Sequence, residues 1–214
     1  MTRPKTTIAE QLAAAQVAVM NSLQDDEIKA LVSQYGYTTE KLLEGRSLFQ
    51  AAQVAVAAQE QASGVQQAAS EAFKEAQTAA FDAYQALSKV ARAAAPKSAL
   101  AGLGLTGPMP RSIAAFRTAA RSLFTNAALL PTLAEYGYIP SKLQAETAKL
   151  DAFEAANLHQ ETAKGAAQQA TRDQDAALAA LNKWLAQYVK IARVALRTKR
   201  ELLEKLGVAA PAAA

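Results

Sequence analysis

The sequence contains no cysteine. That excludes a disulfide scaffold, thiol catalysis and thiolate metal sites. Histidine occurs once, at His159. The ferritin-like di-iron pattern needs Glu-x-x-His on facing helices, and hydrolytic triads need a histidine with placed partners. The residue three before His159 is Ala156, so His159 reads as a surface or seam side chain, with no metal site and no catalytic residue assigned. Long apolar runs are also missing; none approaches the ~20 residues of a membrane-spanning helix. The first residues, Met1-Thr2-Arg3-Pro4-Lys5-Thr6-Thr7-Ile8, lack the apolar stretch of a secretory signal. A soluble, cytoplasmic protein is the expectation. The net charge of +4 is mild, and acids and bases alternate along most of the chain. Nucleic-acid binders concentrate their basic residues in a patch or stripe, so no nucleic-acid partner is expected.

Aromatics make up only 6% of the chain, whereas apolar residues make up 51%. The difference is alanine, in runs such as Ala13-Ala14-Ala15 and Ala93-Ala94-Ala95. Alanine loses no side-chain entropy in a helix and has the best helix propensity. Its methyl group buries little area, so alanine seams bring helices close for a modest gain per residue. The fold class expected is all-α, an elongated bundle of long antiparallel helices.

An internal repeat organises the chain. Tyr35-Gly36-Tyr37 recurs as Tyr136-Gly137-Tyr138, an offset of 101. The same offset pairs Lys41-Leu42 with Lys142-Leu143, Gln59-Glu60 with Gln160-Glu161, and Gly64 with Gly165. It also pairs Lys89-Val90-Ala91-Arg92 with Lys190-Ile191-Ala192-Arg193. Over positions 35–94 there are 19 identities in 60, of which eight are alanine on alanine. The other eleven are not a product of composition. A two-residue shift then aligns Leu103-Gly104-Leu105 with Leu206-Gly207-Val208. The repeats divide the chain into 1–107 and 108–214, joined near Pro108-Met109-Pro110.

Each repeat reads as a shorter helix, a Tyr-Gly-Tyr corner and a long helix. The shorter helices are expected over 8–35 and 111–136, the second bent at Pro131, since an interior proline removes a hydrogen bond. Glycine just past a helix end takes the left-handed conformation that closes the last carbonyls. Thr38 is an N-cap candidate, and Pro140 suits the first helical position; Ile139 offers no capping side chain. The long helices are expected over 39–95 and 140–197. A heptad stripe in the second copy runs through Leu150, Phe153, Asn157, Gln160, Lys164, Ala167, Thr171, Gln174, Leu178, Leu181, Leu185 and Tyr188. Its middle is polar or small. The neighbourhoods of Gly64 and Gly165 carry no turn signal, which favours an unbroken or kinked helix over a hairpin tip. Leu100, Leu103 and Leu105 belong to a short closing segment, as do Leu202, Leu203, Leu206 and Val208. The end of the chain, 208–214, is expected to fray.

The repeated pairs Lys89/Arg92 and Lys190/Arg193 are the leading polar feature. Spaced i, i+3, each pair shares a helix face near a C-terminus. One reading is favourable interaction with the negative end of the helix dipole; the other is a contact for an anion or an acidic partner. Arg197, Lys199 and Arg200 extend the basic character. The tyrosines of the corners and Trp184 read as packing. Gly102-Leu103-Gly104-Leu105-Thr106-Gly107 lacks the preceding strand and the Lys-Ser/Thr ending of a phosphate loop and reads as a joint.

The corner Tyr35-Gly36-Tyr37-Thr38 with Lys41-Leu42 and Glu44-Gly45, the Lys-Val/Ile-Ala-Arg motif, Ala177-x-x-x-Leu181-x-x-Trp184, and Leu203-x-x-Leu206-Gly207-Val208 together resemble a group of alanine-rich helical bacterial proteins of similar length. The resemblance implies a bacterial setting and supplies no activity. The expected function is a non-enzymatic structural or protein-interaction bundle, with a protein partner or self-association, no cofactor and no small-molecule substrate. The alternative is a peripheral bundle on a membrane or lipid surface, favoured by basic residues near anionic headgroups.

Overall fold

The computed structural model describes residues 6–208. All elements among them are helices, in the order α1 (Ile8–Gln24), α2 (Asp26–Ser33), α3 (Thr39–Ala94), α4 (Lys97–Gly102), α5 (Ile113–Ala127), α6 (Pro131–Ala134), α7 (Pro140–Ala195) and α8 (Arg200–Lys205). The tail over 209–214 lies outside the described residues, while Val208 is buried.

The first short helix is two helices, not one. Asp25 leaves the helical region at φ −92°, ψ 109°. Its carboxylate accepts the backbone N–H of Glu27 at 3.0 Å and of Ile28 at 3.1 Å. A side-chain cap that satisfies two orphan donors makes a restart favourable here, and Asp26 and Glu27 add negative charge at the positive helix end. The restart turns Ile28 and Val32 fully inward. The counterpart in the second half is also broken rather than bent. Residues 128–130 leave the helix, and Pro131 opens α6 at its first position. Leu129 is left 76% exposed.

Both long helices are uninterrupted at 56 residues. Gly64 and Gly165 lie inside them, with open space where a Cβ would stand. The corners before the long helices form as expected. Gly36 and Gly137 take φ values of +82° and +85°. Tyr37 N–H donates to Val32 O at 3.1 Å and Tyr138 N–H to Leu133 O at 3.0 Å. These bonds close the preceding helix and fold the second tyrosine back, so Tyr37 and Tyr138 are buried while Tyr35 and Tyr136 stay exposed. Pro140 begins α7.

Compactness divides the chain differently from sequence repetition. One unit combines 1–62 with 167–214, and the other is 63–166. Unit 1 therefore holds α1, α2, the start of α3, the end of α7 and α8. Its core joins Val19, Ile28, Val32, Tyr37 and Leu42 to Trp184, Tyr188, Leu196, Leu202 and Leu206, with Phe49, Ala52, Leu178 and Leu181 in a neighbouring cluster. Unit 2 holds the end of α3, α4, α5, α6 and the start of α7. Its core is richer in aromatics: Phe73, Tyr84, Phe116, Phe124, Tyr138 and Phe153. Of the heptad stripe, Leu150, Phe153, Ala167, Gln174, Leu178, Leu181 and Tyr188 are buried, whereas Lys164 and Thr171 are exposed.

One close approach shapes unit 1. The indole of Trp184 lies against the bare Cα of Gly45, where a Cβ would stand 2.7 Å from Cζ3 and nearer still to the rest of the ring edge. The ring is also held by Tyr188, stacked at 5.2 Å, and by the edge of Tyr37 at 5.8 Å. An indole wedged in this way has no flexible end to move aside. Gly45→Ala is expected to destabilise unit 1 by about 1–3 kcal/mol through overpacking, less the small gain of alanine in a helix. Gly64→Ala and Gly165→Ala meet open space and are expected to stabilise by about 0.5–1 kcal/mol. Urea denaturation of the three variants reads the opposite signs directly.

Candidate functional site

The two Lys/Arg pairs occupy corresponding helix ends, and their surroundings differ. Lys89 and Arg92 are both exposed, at the end of α3 in unit 2. Arg92 Nη2 donates to Gly107 O at 3.2 Å and, more weakly, to Leu105 O at 3.5 Å. The guanidinium thus ties the glycine-rich joint to the helix. Gly104, at φ +71°, turns the chain there, and Leu103 and Leu105 are buried on either side of it. The returning chain places Met109 over the helix end, with its Sδ 4.0 Å from Gln85 Nε2. The result is a groove of about 120 Å³ lined by Tyr84, Gln85, Ser88, Lys89, Arg92 and Met109.

Lys190 and Arg193 are exposed near the end of α7 in unit 1. Neither forms an ion pair or side-chain hydrogen bond among the described residues. Two of the basic residues that follow are drawn into closing contacts. Lys199 pairs with Glu27, and Lys205 Nζ lies 3.1 Å from Asp25 Oδ2. Asn21 Nδ2 donates to Lys205 O at 2.5 Å and caps α8. Asp25 therefore serves as helix cap and as anchor for α8. Its pKa is lowered, first by the backbone bond from Ile28 and then by Lys205.

Sequence reading treated the charges as interleaved, and one stretch departs from that. Residues 83–134 contain Lys89, Arg92, Lys97, Arg111, Arg117 and Arg121 and no acidic residue. A running count of acids would have found it. Arg121 reaches Asp151 at 2.6 Å and Glu154 at 3.0 Å, and Arg117 lies 3.3 Å from Glu154. Lys89 and Arg92 form no ion pair among the described residues.

The other polar concentration is buried in unit 1. The Ser22 hydroxyl bonds Ala18 O at 2.6 Å and shares a short hydrogen bond with the Tyr188 hydroxyl. Tyr37 Oη and Trp184 Nε1 are buried beside them without partners. His159 is exposed on α7, and no group of three metal-ligating side chains occurs among the described residues.

Burial pushes the Tyr188 hydroxyl up to about 12, partly offset by the Ser22 bond. Burial also raises Tyr37, with the Glu44 carboxylate adding to it. In the unfolded chain a tyrosine ionises near ~10. Tyr188 thus favours the folded state below that pH, and the contribution is lost as pH rises from about 10 to about 12. The expected loss from Tyr188 is on the order of 2 kcal/mol. Urea midpoints measured across this range should fall, and Tyr188→Phe should flatten the fall. No family profile, curated protein or solved structure matches the chain.

Proposed function

We propose that the protein is a non-enzymatic structural or interaction bundle that associates through its long helices with a protein partner or with a second copy of itself. The observation that carries this reading is a stretch of α3. From 53 to 68, sixteen consecutive helical positions include no buried residue. Val54 is 70% exposed and Val65 46%, and Ala58 lies between them at helical spacing. A soluble helix ordinarily buries one face. Here Ala55, Val56 and Ala62 are half-buried, while Val54, Ala58 and Val65 on another side of the continuous helix stay open.

In this reading the chain is a duplicated unit whose long helices pack antiparallel. Within unit 1 the start of α3 meets the end of α7, as Gly45 meets Trp184. Within unit 2 the order reverses, with Phe73 at 5.5 Å from Phe153 and Gln160 reaching Ser70. Matched exchanges at the 101-residue offset support the duplication. Gly45 with Trp184 corresponds to Glu146 with Ala83, a large side chain traded across the pair. Ser22 with Tyr188 corresponds to Leu123 with Leu87, both buried in unit 2. A bacterial, cytoplasmic setting accords with the resemblance noted from the sequence.

A second reading, attachment to an anionic membrane surface, has its own observation. At the corner between α5 and α7, Leu129, Tyr136 and Ile139 are 76%, 59% and 48% exposed, in the same unit as the acid-free stretch. No helix among the described residues is long and apolar enough to cross a membrane, so such attachment would be peripheral.

Sedimentation velocity over a range of concentrations tests the first reading. Self-association that is lost in Val54→Glu/Val65→Glu, with the helical content retained, is the expected result. A partner captured by the native chain and released by that variant would serve equally. A strictly monomeric chain with no variant-sensitive partner would sink it. Co-flotation with anionic vesicles, lost in Leu129→Glu, would move the second reading ahead.

A further inference from the structure

The helix end at 84–92 is more than a repeat of the one at 185–193. The Lys and Arg are the same in both, at 89 and 92 and at 190 and 193. The flanking positions differ in both directions: Ala86 and Leu87 stand against Gln187 and Tyr188, whereas the positions that line the groove gain polar groups in unit 2. Tyr84, Gln85 and Ser88 stand where the second copy has Leu185, Ala186 and Val189. Three hydrogen-bonding side chains in unit 2 thus replace three apolar ones. If the Lys/Arg pair served only the helix dipole, nothing would call for these three donors beside it.

The groove they line carries two cations, three neutral hydrogen-bonding side chains and no carboxylate. Lysine and arginine donate and cannot accept. Gln85 Nε2 has only the Met109 thioether at 4.0 Å, a weak acceptor. Ser88 is 6% exposed, and its Oγ is buried without a hydrogen-bond partner. An unbonded buried hydroxyl is costly and calls for an explanation. Arg92 is oriented by Leu105 O and Gly107 O through one terminal nitrogen, which leaves its remaining N–H groups to donate. No acidic residue occurs between Asp82 and Glu135. The size is also informative. Sites for drug-sized ligands begin near roughly 300 Å³, and this groove, at about 120 Å³, suits a single compact anion.

We propose that the groove between the end of α3 and the 105–109 segment is an oxyanion site that takes a phosphate group, with Lys89, Arg92, Gln85 and Ser88 as its donors. The cations supply charge-assisted hydrogen bonds. The joint supplies the wall, because Arg92 holds it and Met109 covers it. The site goes beyond the association reading and stands whether or not the long helices bind a partner.

The test uses the full ¹⁵N-labelled chain at constant ionic strength, titrated with inorganic phosphate in one arm and glycerol 3-phosphate in the other. The expected result is saturable amide shifts confined to 84–92 and 105–110, with 185–193 unmoved. A stronger response to glycerol 3-phosphate would assign the site to a phosphomonoester, and an equal response to the free ion. Gln85→Ala/Ser88→Val installs the residues the chain already carries at 186 and 189, and Lys89→Gln removes one exposed charge. Each is expected to weaken binding about tenfold or more, with the thermal midpoint of Lys89→Gln unchanged. Absence of saturable shifts would overturn the proposal. So would equal shifts at 185–193, or undiminished binding in Lys89→Gln together with the double variant.

Discussion

The contact between Trp184 and Gly45 sets how closely the two long helices run in unit 1. A chain with few aromatics has few places to bury large area, and each such place fixes more of the structure than it would in a leucine-rich bundle. The indole can lie against α3 only because position 45 has no Cβ. With the ring seated, Tyr37 and Tyr188 pack around it, and Tyr37 reaches that position only through the left-handed Gly36. The corner, the seam and the aromatic cluster are thus one arrangement. Alanines such as Ala15, Ala18 and Ala192, all buried, keep the helices near enough for it to persist.

Unit 2 buries its large side chains at other positions. Ala83 and Glu146 are both buried at the positions that correspond to Trp184 and Gly45. The area is recovered in the phenylalanines, with Phe81 stacked on Phe116 at 4.0 Å and Phe116 edge-on to Phe153 at 5.9 Å. Polar cost follows the same redistribution. Unit 1 keeps buried hydroxyls at Ser22 and Tyr188, and unit 2 has leucines there. Glu146 is retained with Lys149 Nζ at 2.7 Å.

The helical class and the two long helices were legible because alanine propensity, the Tyr-Gly-Tyr corners and the apolar stripe agree with one another. Their ends fall within two residues of the expected positions. The break at Asp25 was missed although its signal was present: an aspartate followed by Asp26, Glu27 and the apolar Ile28 is a helix start. The break at 128–130 was half visible, since Pro131 predicted a bend and marks a restart. The Lys/Arg pairs were legible as a motif, but their different surroundings were not. What marks the pair at 89 and 92 is Met109 and the 105–107 segment, brought to the end of α3, which is a property of tertiary placement. Which half of each long helix belongs to which compact unit is likewise a matter of long-range contact that local pattern does not encode.

The division into compact units also orders events in time. Unit 2 is a single continuous stretch, and its last residue is made while the final part of the chain is still unwritten. Unit 1 depends on contacts such as Ser22 with Tyr188 and Glu27 with Lys199, separated by 166 and 172 positions. Closing so long a loop from a disordered chain carries an entropy cost that grows with the length between the ends. A folded unit 2 replaces most of that loop with fixed structure and shortens the search that remains. On the ribosome, the core around Ile28 and Val32 is therefore complete only when residues 184–208 emerge to join it.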